Sequence, residues 1–383
     1  MSETPSPHVP LGASVPLVPP LYQSSVYTLP DLDSLDRIMN AEAPGFIYAR
    51  DAHPNARQLA ALLATLEGGE WGVVTSSGMA ALSALLLATL QGGNRVVASN
   101  RLYGRTSQLL MQEMGRFGVE TKFVDTSDLG ETARALEKPT RLLLVETLSN
   151  PLLRMADIPR LAELAHQKNA LLIVDNTFAT PVLCRPLEMG ADLVMESLTK
   201  MIGGHGDVTL GLVAGRGDLQ AEMNQVSSIW GFAANPFECW LAQRSLPTLE
   251  MRMQTATANA LGLARWLAQQ PGIARVIYPG LPDHPDHELI RTLLHGQFGN
   301  MLCFDLGGGR EAVNRFLRRA PGIPFSPSLG NTATTCSHPG LTSHRYVSPA
   351  EKERQGITDG LLRISVGIEP LEAIKTEMAR GLV

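Results

Sequence analysis

The chain has 383 residues, of which 44% are hydrophobic and 18% are charged, and its formal net charge is −5 at pH 7. This is the composition of a globular protein with ample core material, and the length predicts two or three domains. The negative balance argues against a protein that mainly binds nucleic-acid phosphates or anionic membranes.

The four cysteines lie far apart with no CxxC pair, which excludes a disulfide scaffold and zinc-ribbon spacing. No apolar run reaches the roughly 18 residues of a membrane span. The first residues lack the basic start and apolar run of a signal peptide. We therefore expect a cytoplasmic protein that binds neither nucleic acid nor membrane and holds no metal.

In chain order, residues 1–30 are rich in proline and predict an extended arm. Residues 56–67 predict a helix that ends at Gly68-Gly69. Strands and helices then alternate, and the strands carry near-continuous apolar residues. The predicted strands are 71–77, 94–99, 119–125, 141–147, 170–176, 191–197 and 208–215, with helices at 78–90, 106–118 and 158–169.

This alternation indicates a mostly parallel sheet with helices on both faces. Residues 240–268 predict a linking helix. The remainder predicts strands at 275–280, 301–308 and 361–369 and helices at 310–319 and 370–381. We accordingly predict an α/β fold in three parts: an N-terminal arm at 1–56, a large domain at 57–240, and the linking helix with a small α+β domain at 241–383.

The segment TSSGMAAL, Thr75 to Leu82, places a turn of small residues between a predicted strand and a predicted helix. Backbone N–H groups in such a turn can approach a phosphate, and the helix dipole favours the anion. A strand–helix turn without any ligand would have the same sequence, so both interpretations stay open at this point.

Two further candidates follow predicted buried strands. Asp175 ends LIVDN, where α/β proteins bind ligands, and its alternative role is a helix cap, although no obvious helix follows. Lys200, in SLTKMIGGHGD, is a candidate Schiff-base amine or an ordinary exposed loop lysine. A phosphate turn, a strand-end aspartate and a loop lysine, in this order, match what pyridoxal phosphate needs.

Nine blocks of sequence make the hypothesis specific: YARDAHP, SSGMAA, LYGRT, ETLSNP, VDNTFATP, SLTKMIGGHGD, SLGN, SHPGLTSH and GLLRISVGIE. In their order and spacing the chain resembles the Cys/Met-metabolism (trans-sulfuration) family of pyridoxal-phosphate enzymes. That family contains cystathionine γ-synthase, cystathionine lyases, methionine γ-lyase and O-acylhomoserine sulfhydrylases. The resemblance covers nearly the whole chain and implies the aspartate-aminotransferase-like fold, fold type I, with pyridoxal 5′-phosphate as cofactor.

The resemblance also implies roles by position. Lys200 resembles the Schiff-base lysine, Asp175 the partner of the pyridine nitrogen, and Tyr103 the tyrosine that stacks on the ring and helps proton transfer to the leaving group. The other cofactor contacts that it implies are backbone N–H groups of Gly78 and Met79, hydroxyls of Ser197 and Thr199, Glu146 and Asn150 beside the phenolic oxygen, and Tyr48 and Arg50 from the neighbouring subunit.

The same resemblance assigns the substrate side of the site. Arg363, with Ser328 nearby, resembles the clamp on the α-carboxylate of a small amino-acid substrate, which a guanidinium binds in a bidentate manner. The freed Lys200 would remove the Cα proton, and loss of a γ leaving group would need a second deprotonation at Cβ. Because Tyr48 and Arg50 would serve the adjacent subunit, the smallest active unit is a homodimer, and the family implies a homotetramer.

Several positions depart from the family pattern, namely His53, Asn55, Glu196 and Met201. Arg105 replaces a small residue, or the cysteine typical of methionine γ-lyases, and either meets a distal carboxylate of the substrate or points to solvent. Pro327 stands where cystathionine enzymes often carry glutamate, which argues against cystathionine as the obvious substrate.

The expected activity is β/γ-elimination or γ-replacement on a sulfur-containing or O-acylated amino acid, with a preference for a C–S lyase. The alternative is a γ-replacement transferase, either cystathionine γ-synthase or O-acylhomoserine sulfhydrylase. Two remoter alternatives are an aminotransferase or decarboxylase of the same fold and a non-catalytic metabolite-binding protein. An intact Lys200 and Asp175 argue against the last.

Three other motifs carry less weight. Gly307-x-Gly309-x-x-Ala312 imitates a dinucleotide turn but has no preceding βαβ run. His284-x-x-His287 lacks a third metal ligand. The polar set Cys336, His338 and His344 lies around a Pro-Gly step that predicts a loop.

Overall fold

The structure is a computed structural model that describes residues 13–345 and 347–383. The first twelve residues of the predicted arm lie outside the described residues. From residue 13 to Pro30 the chain has no helix or named strand. It contacts the body through the carbonyls of Pro19 and Pro20, which accept hydrogen bonds from Trp240 Nε1 at 2.8 Å and Asn55 Nδ2 at 2.9 Å.

Helices and strands alternate along the described chain. The strands are β1 (Trp71–Thr75), β2 (Arg95–Ser99), β3 (Glu120–Val124), β4 (Leu142–Glu146), β5 (Leu171–Asp175), β6 (Leu193–Ser197), β7 (Gly211–Gly215), β8 (Ile273–Ile277), β9 (Met301–Leu306), β10 (Thr335–Ser337) and β11 (Leu361–Ser365). The helices are α1 (Leu32–Met39), α2 (Pro54–Glu67), α3 (Gly78–Thr89), α4 (Gly104–Gln108), α5 (Leu129–Leu136), α6 (Ile158–His166), α7 (Thr180–Leu183), α8 (Gln220–Trp230), α9 (Pro236–Ser245), α10 (Leu249–Leu267), α11 (His287–Leu293), α12 (Gly309–Arg319), α13 (Pro349–Gln355) and α14 (Leu371–Leu382).

A seven-stranded sheet in the order β1-β7-β6-β5-β4-β2-β3 forms the centre of the molecule. Only β7 runs against the others, since β1 and β6 pair with it antiparallel and the remaining pairs are parallel. Helices bury both faces: Leu59 and Leu161 pack on one side, and Leu82 and Met223 on the other. The near-continuous apolar strands follow from this double burial.

A second sheet, β10-β11-β9-β8, is entirely antiparallel. Its core gathers large apolar side chains from the sheet and from α10, α12 and α14, among them Phe304 and Phe316, whose ring centroids lie 5.5 Å apart. Helix α10 reaches from one sheet to the other, because Met253 packs in the core of the large sheet and Leu263 in that of the small one.

The sequence-based element prediction was incomplete in two ways. It missed α1, α5, α7, α8, α11, α13 and β10, most of which are short or carry few buried residues. The single linking helix at 240–268 is wrong in detail: α9 and α10 flank a 3₁₀ turn at Leu246–Thr248. Pro247 explains the break, since proline has no N–H to continue the helical ladder.

Candidate active site

The carboxyl ends of the parallel strands bring the candidate residues to one edge of the sheet. Glu146 and Asp175 are the last residues of β4 and β5 and lie opposite each other in parallel register. Ser197 ends β6, and the turn that follows carries Lys200. Ligands of open α/β sheets bind at this edge, so the topology itself gathers these side chains.

A cavity of about 550 Å³ opens at this edge. Eleven of the residues predicted from sequence line it: Gly78, Met79, Tyr103, Arg105, Glu146, Asn150, Asp175, Ser197, Thr199, Lys200 and Arg363. Ser328 lies between two further wall residues, Pro327 and Leu329. Residues scattered over the length of the chain therefore form one concave site, with contributions from both sheets.

Lys200 lines this cavity and is partly buried. Its Nζ donates a hydrogen bond of 3.2 Å to the hydroxyl of Ser328. Burial lowers the pKa of the Lys200 ammonium, and the positive charge of Arg363 lowers it further. An amine that gives up its proton more readily is a better nucleophile and a better base.

Arg363 is fixed to the floor of the cavity by two hydrogen bonds. Its Nη1 donates to Oδ1 of Asn150 at 2.8 Å, and its Nη2 donates to the carbonyl of Ser328 at 3.1 Å. Burial lowers its pKa to about 10, and its buried Nε has no partner among the described residues. A buried guanidinium without an anionic partner is suited to a carboxylate of the substrate.

A threonine that the sequence analysis missed fastens two of the predicted residues together. The hydroxyl of Thr177 donates to Oδ1 of Asp175 at 2.5 Å and accepts the backbone N–H of Ser197 at 2.9 Å. Burial raises the pKa of Asp175, and the hydrogen bonds from Thr177 oppose that shift. The Asp-x-Thr spacing, in which the carboxylate also accepts the Thr177 N–H at 3.0 Å, was the available sequence signal.

Glu146 holds the other side of the site. Its carboxylate accepts the backbone N–H of Tyr103 at 2.5 Å and that of Asn150 at 3.2 Å. Burial, together with the negative charge of Asp175, raises the pKa of Glu146 to about 8. Tyr103 itself is 38% exposed and stands at the start of α4, where its ring borders the cavity.

The first turn of α3 supplies backbone N–H groups to the cavity. Ser77 caps this helix, since its hydroxyl accepts the N–H of Ala80 at 3.0 Å. A Cβ at Gly78 would lie 2.8 Å from the Cβ of Ser197, so only glycine fits between helix and strand. Ser77, Gly78 and Met79 line the cavity at this helix N-terminus, where backbone N–H groups and the helix dipole suit a phosphate.

These residues fit pyridoxal 5′-phosphate. The cavity presents a lysine amine with a lowered pKa, a strand-end carboxylate that a threonine orients, and a capped helix N-terminus with hydroxyls beside it. When bound, the cofactor supplies an electron sink for a carbanion at the substrate's Cα. Lys200, Asp175 and the α3 turn are the groups that would hold it.

Two predicted cofactor contacts lie elsewhere. Tyr48 and Arg50 do not belong to the wall of the cavity. The Arg50 guanidinium carbon lies 5.1 Å from the centroid of the Tyr48 ring, and the Tyr48 side chain is 42% exposed. Within this chain the pair is therefore separate from Lys200 and Asp175.

Arg105 lines the cavity and is exposed as well, so it stands at the mouth. Its Nη1 donates to Oε1 of Gln108 at 2.8 Å. Beside it, the carbonyl of Ser343 lies so close to Gly104 that it leaves no room for a Cβ at this position. The segment Leu341 to Ser343 forms part of the same wall; it lies in the family block SHPGLTSH, but no role was predicted for it.

The motifs that carried less weight lie outside the cavity. His284 and His287 contact backbone carbonyls of Leu152 and Pro279 at 3.4 and 2.7 Å. His338 contacts the carbonyl of Asp359 at 3.0 Å, and burial lowers the pKa of His344 to about 4. No helix in the described residues is long and apolar enough to cross a membrane.

Fold and site together define a pyridoxal-phosphate enzyme with the aspartate-aminotransferase-like, type I fold. The chain belongs to the family described as Cys/Met metabolism PLP-dependent enzymes, whose model matches residues 12–383. The family resemblance, the fold class and the cofactor predicted from the sequence are thereby confirmed.

Similar proteins of known name indicate the class of reaction. The chain is 44% identical over 341 residues to an O-succinylhomoserine sulfhydrylase of Pseudomonas aeruginosa PAO1, covering 89% of this chain and 84% of the relative. It is 40% identical over 369 residues to an L-methionine gamma-lyase of Fusobacterium nucleatum subsp. polymorphum, covering 96% and 93%. A crystal structure of cystathionine gamma synthase from Xanthomonas oryzae pv. oryzae in complex with cystathionine superposes with a TM-score of 0.90 at 35% identity, covering 95% and 92%.

The chain is thus an enzyme of cysteine and methionine metabolism. With pyridoxal phosphate it carries out β/γ-elimination or γ-replacement on sulfur-containing or O-acylated amino acids. This activity was expected from the sequence. The choice between elimination and replacement depends on how the site treats the γ-substituent.

Proposed function

We propose that the enzyme catalyses γ-replacement on an O-acyl homoserine whose acyl group ends in a carboxylate, with a sulfur nucleophile as acceptor. The observation that carries this proposal is the position of Arg105 at the cavity mouth. A guanidinium there can pair with a distal carboxylate such as that of a succinyl group. The sulfhydrylase relative, named for O-succinylhomoserine, supports the same substrate class.

In this proposal Arg363 binds the α-carboxylate of the substrate, because its free Nε and fixed orientation suit a bidentate contact. Lys200 removes the proton at Cα and then one at Cβ, since it is the only lysine among the described residues that line the cavity. Tyr103 borders the γ end of the substrate and passes a proton to the leaving group.

The remaining assignments concern the cofactor. Asp175 would hold the pyridine nitrogen, and Glu146 and Asn150 would lie on the side of the phenolic oxygen. Backbone N–H groups of Gly78 and Met79 and hydroxyls of Ser197 and Thr199 would hold the phosphate. The support for these assignments is that all of these residues line one cavity in which amine, carboxylate and helix N-terminus converge.

Elimination by a C–S lyase, which the sequence analysis preferred, is the second candidate function. It is favoured by the similarity to an L-methionine gamma-lyase over 96% of the chain. The two candidates share every step up to loss of the γ-substituent. They differ in whether a thiol then adds to the substrate or water releases a 2-oxo acid.

The test uses holoenzyme with O-succinylhomoserine, O-acetylhomoserine, methionine and cystathionine, each with and without a thiol, and identifies products by mass spectrometry. We expect thioether from O-succinylhomoserine plus thiol. Arg105→Ala should lower kcat/KM for O-succinylhomoserine about two- to fivefold, because a charge pair formed by an exposed side chain contributes about 0.2–1 kcal/mol. O-Acetylhomoserine, which has no distal carboxylate, is the matched control substrate and should change little.

Release of 2-oxobutanoate and thiol from methionine, at a rate above thioether formation, would instead establish the lyase. Equal losses for the succinyl and acetyl substrates in Arg105→Ala would contradict the role of Arg105. Lys200→Ala provides the blank for every substrate.

We also propose that the enzyme works as a homodimer or a homotetramer in which Tyr48 and Arg50 complete the site of a neighbouring subunit. Their exposure and their absence from the wall of this chain's own cavity support the assignment. Mixing inactive Lys200→Ala with inactive Arg50→Ala should restore activity, because one site of a mixed dimer then has both residues intact. No recovery after subunit exchange would contradict it.

Two further expectations from the sequence are retained as proposals. We propose the division into an arm at 1–56, a large domain at 57–240 and a linking helix with small domain at 241–383, which the two separate sheets support. We also propose a cytoplasmic location, which the acidic composition and the family's metabolic chemistry support. Fractionation of native cells tests the latter.

A further inference from the structure

Two glutamates are buried together behind the active site. Glu67 is the last residue of α2 and Glu196 the penultimate residue of β6, and they are 0% and 1% exposed. Successive residues of a strand point to opposite faces. Met195 and Ser197 line the cavity, so Glu196 lies on the other face of the sheet, which α2 covers.

The contacts of the two carboxyl groups are unequal. The Glu67 carboxyl accepts hydrogen bonds from the Asn176 amide, whose Nδ2 lies 3.1 and 3.4 Å from its two oxygens. Asn176 is held in turn by the hydroxyl of Thr147, at 2.7 Å from its Oδ1, and by the carbonyl of Cys184 at 2.9 Å. Neither oxygen of Glu196 has a partner with ordinary hydrogen-bond geometry among the described residues, but this carboxyl lies close to both the Glu67 carboxyl and the Asn176 amide.

Among the described residues, the one cation that faces the pair is half exposed and cannot balance two negative charges. The charged or titratable groups that face the pair are Asp175, Cys184, Arg185 and Glu188. The Arg185 guanidinium is shared with Glu188, to which it donates at 3.3 Å, and is half exposed. Two ionised carboxylates in contact inside a protein repel each other strongly, so one of them keeps a proton.

We propose that Glu196 stays protonated at neutral pH and donates a hydrogen bond to Glu67. We also propose that this acid pair is a positioning element for the active site. Glu196 directly precedes Ser197, and Asn176 directly follows Asp175. The pair therefore ties the ends of β5 and β6 to α2 on the face opposite the cavity. The functional part of this inference depends on the roles proposed above for Ser197 and Asp175.

The proton belongs to Glu196 for a physical reason. Burial raises the pKa of both carboxyl groups, and that of Glu196 rises further because Glu67 and Asp175 add their negative charges. The Asn176 amide favours the ionised form of both carboxyl groups, but its Nδ2 donates to Glu67 at 3.1 Å, and the charge of Arg185 favours the ionised form of Glu67 alone. Glu67 is accordingly the acceptor, and a glutamine at 196 should reproduce the donor.

The first test is infrared spectroscopy of the holoenzyme at neutral pH, which distinguishes a protonated carboxyl from a carboxylate. We expect a protonated-carboxyl band in the wild type that is missing in Glu196→Gln. The comparison is repeated in a Glu146→Gln background, because Glu146 also has a raised pKa. A spectrum unchanged by Glu196→Gln, or a band that disappears only in Glu67→Gln, would overturn the proposal.

The second test follows unfolding with pH. Since the folded protein holds a proton that the unfolded chain releases above the ordinary glutamate pKa, the wild type loses stability as pH rises through this window. For each pH unit, the unfolding equilibrium constant of the wild type should rise by a factor up to about tenfold larger than that of Glu196→Gln. Equal pH dependence in the two proteins would contradict the shared proton, whatever substrate the enzyme uses.

The third test separates positioning from simple stability. Glu196→Gln, which keeps a donor, should hold cofactor with an affinity within about threefold of the wild type, whereas Glu196→Leu should lose about tenfold or more. Glu188→Gln changes a nearby but exposed carboxylate. It is the matched control and should leave cofactor affinity unchanged. Equal cofactor affinity in the Leu and Gln variants would show that the pair does not position Ser197 and Asp175.

Discussion

The Nζ of Lys200 and the Oγ of Ser328 lie 3.2 Å apart, and this hydrogen bond joins the large sheet's edge to the segment that leads into β10. Lys200 follows β6, whereas Ser328 belongs to the part of the chain that carries the second sheet. The environment of the amine therefore depends on how the two parts of the molecule meet. Arg363, whose Nη2 contacts the Ser328 carbonyl, lies at the same junction.

Replacing Lys200 by methionine should increase the stability of the cofactor-free protein at neutral pH. Burial and Arg363 lower the pKa of this amine, so the unfolded chain binds its proton more readily than the folded protein does. The free energy of unfolding of the wild type is therefore reduced at low pH and increases as pH rises towards the ordinary lysine pKa. Lys200→Met should remove this pH dependence. Thermal unfolding of both proteins across this range measures the difference.

The same variant should bind cofactor without a covalent link. After borohydride reduction, mass spectrometry should find the cofactor on the peptide that contains Lys200 in the wild type and on no peptide in Lys200→Met. Covalent cofactor at another lysine, or a lower neutral-pH stability of the variant, would contradict the assignment.

Replacing Arg363 by lysine should lower kcat/KM for every amino-acid substrate by about 10²–10³-fold, because truncating one partner of a buried charge pair costs about 2–5 kcal/mol. Lysine keeps the charge but cannot contact Asn150, the Ser328 carbonyl and a carboxylate together. Steady-state kinetics should show the loss mainly in KM. Cofactor affinity serves as the control and should stay nearly constant; a fall in it as large as that in kcat/KM would argue for general disruption.

Thr177→Val should weaken cofactor binding, and Thr177→Ser should not. Valine removes the hydroxyl that joins Asp175 to the Ser197 N–H and leaves a partly buried N–H without its acceptor. The expected loss of stability is about 1–3 kcal/mol. Equilibrium titration of the cofactor-free variants and urea unfolding provide the two measurements, and identical behaviour of the two variants would show that the hydroxyl does not matter.

Gly78→Ala should reduce cofactor affinity about tenfold or more, which corresponds to a loss of about 1.4 kcal/mol of binding free energy. The new Cβ would meet that of Ser197 at 2.8 Å and push the first turn of α3 away from β6. Gly115→Ala is the matched control, since a Cβ at that position would have no neighbour within 4 Å and its φ is −58°. Comparable losses in both variants would remove the steric argument.

Much of the site could be predicted from sequence because its residues follow buried strands. Asp175 and Lys200 were recognisable by that position, and the family blocks around Tyr103, Asn150 and Arg363 added the rest. The roles of Thr177 and of the Leu341 to Ser343 wall were missed, although both lie in family blocks. The local Asp-x-Thr spacing encodes the contact of Thr177 with Asp175, but its contact with Ser197 and the position of the Leu341 to Ser343 wall depend on residues distant in the chain.

The sequence by itself determined the alternation of strands and helices, the type of cofactor and the identity of most groups around it. Apolar periodicity and turn residues act over a few positions, so they can be recognised without coordinates. Only the tertiary structure decided that β7 runs against its neighbours, that Arg105 stands at the cavity mouth, and that Glu67 and Glu196 are buried together. Burial and electrostatic interaction depend on distances between segments far apart in the chain, and packing alone sets those distances.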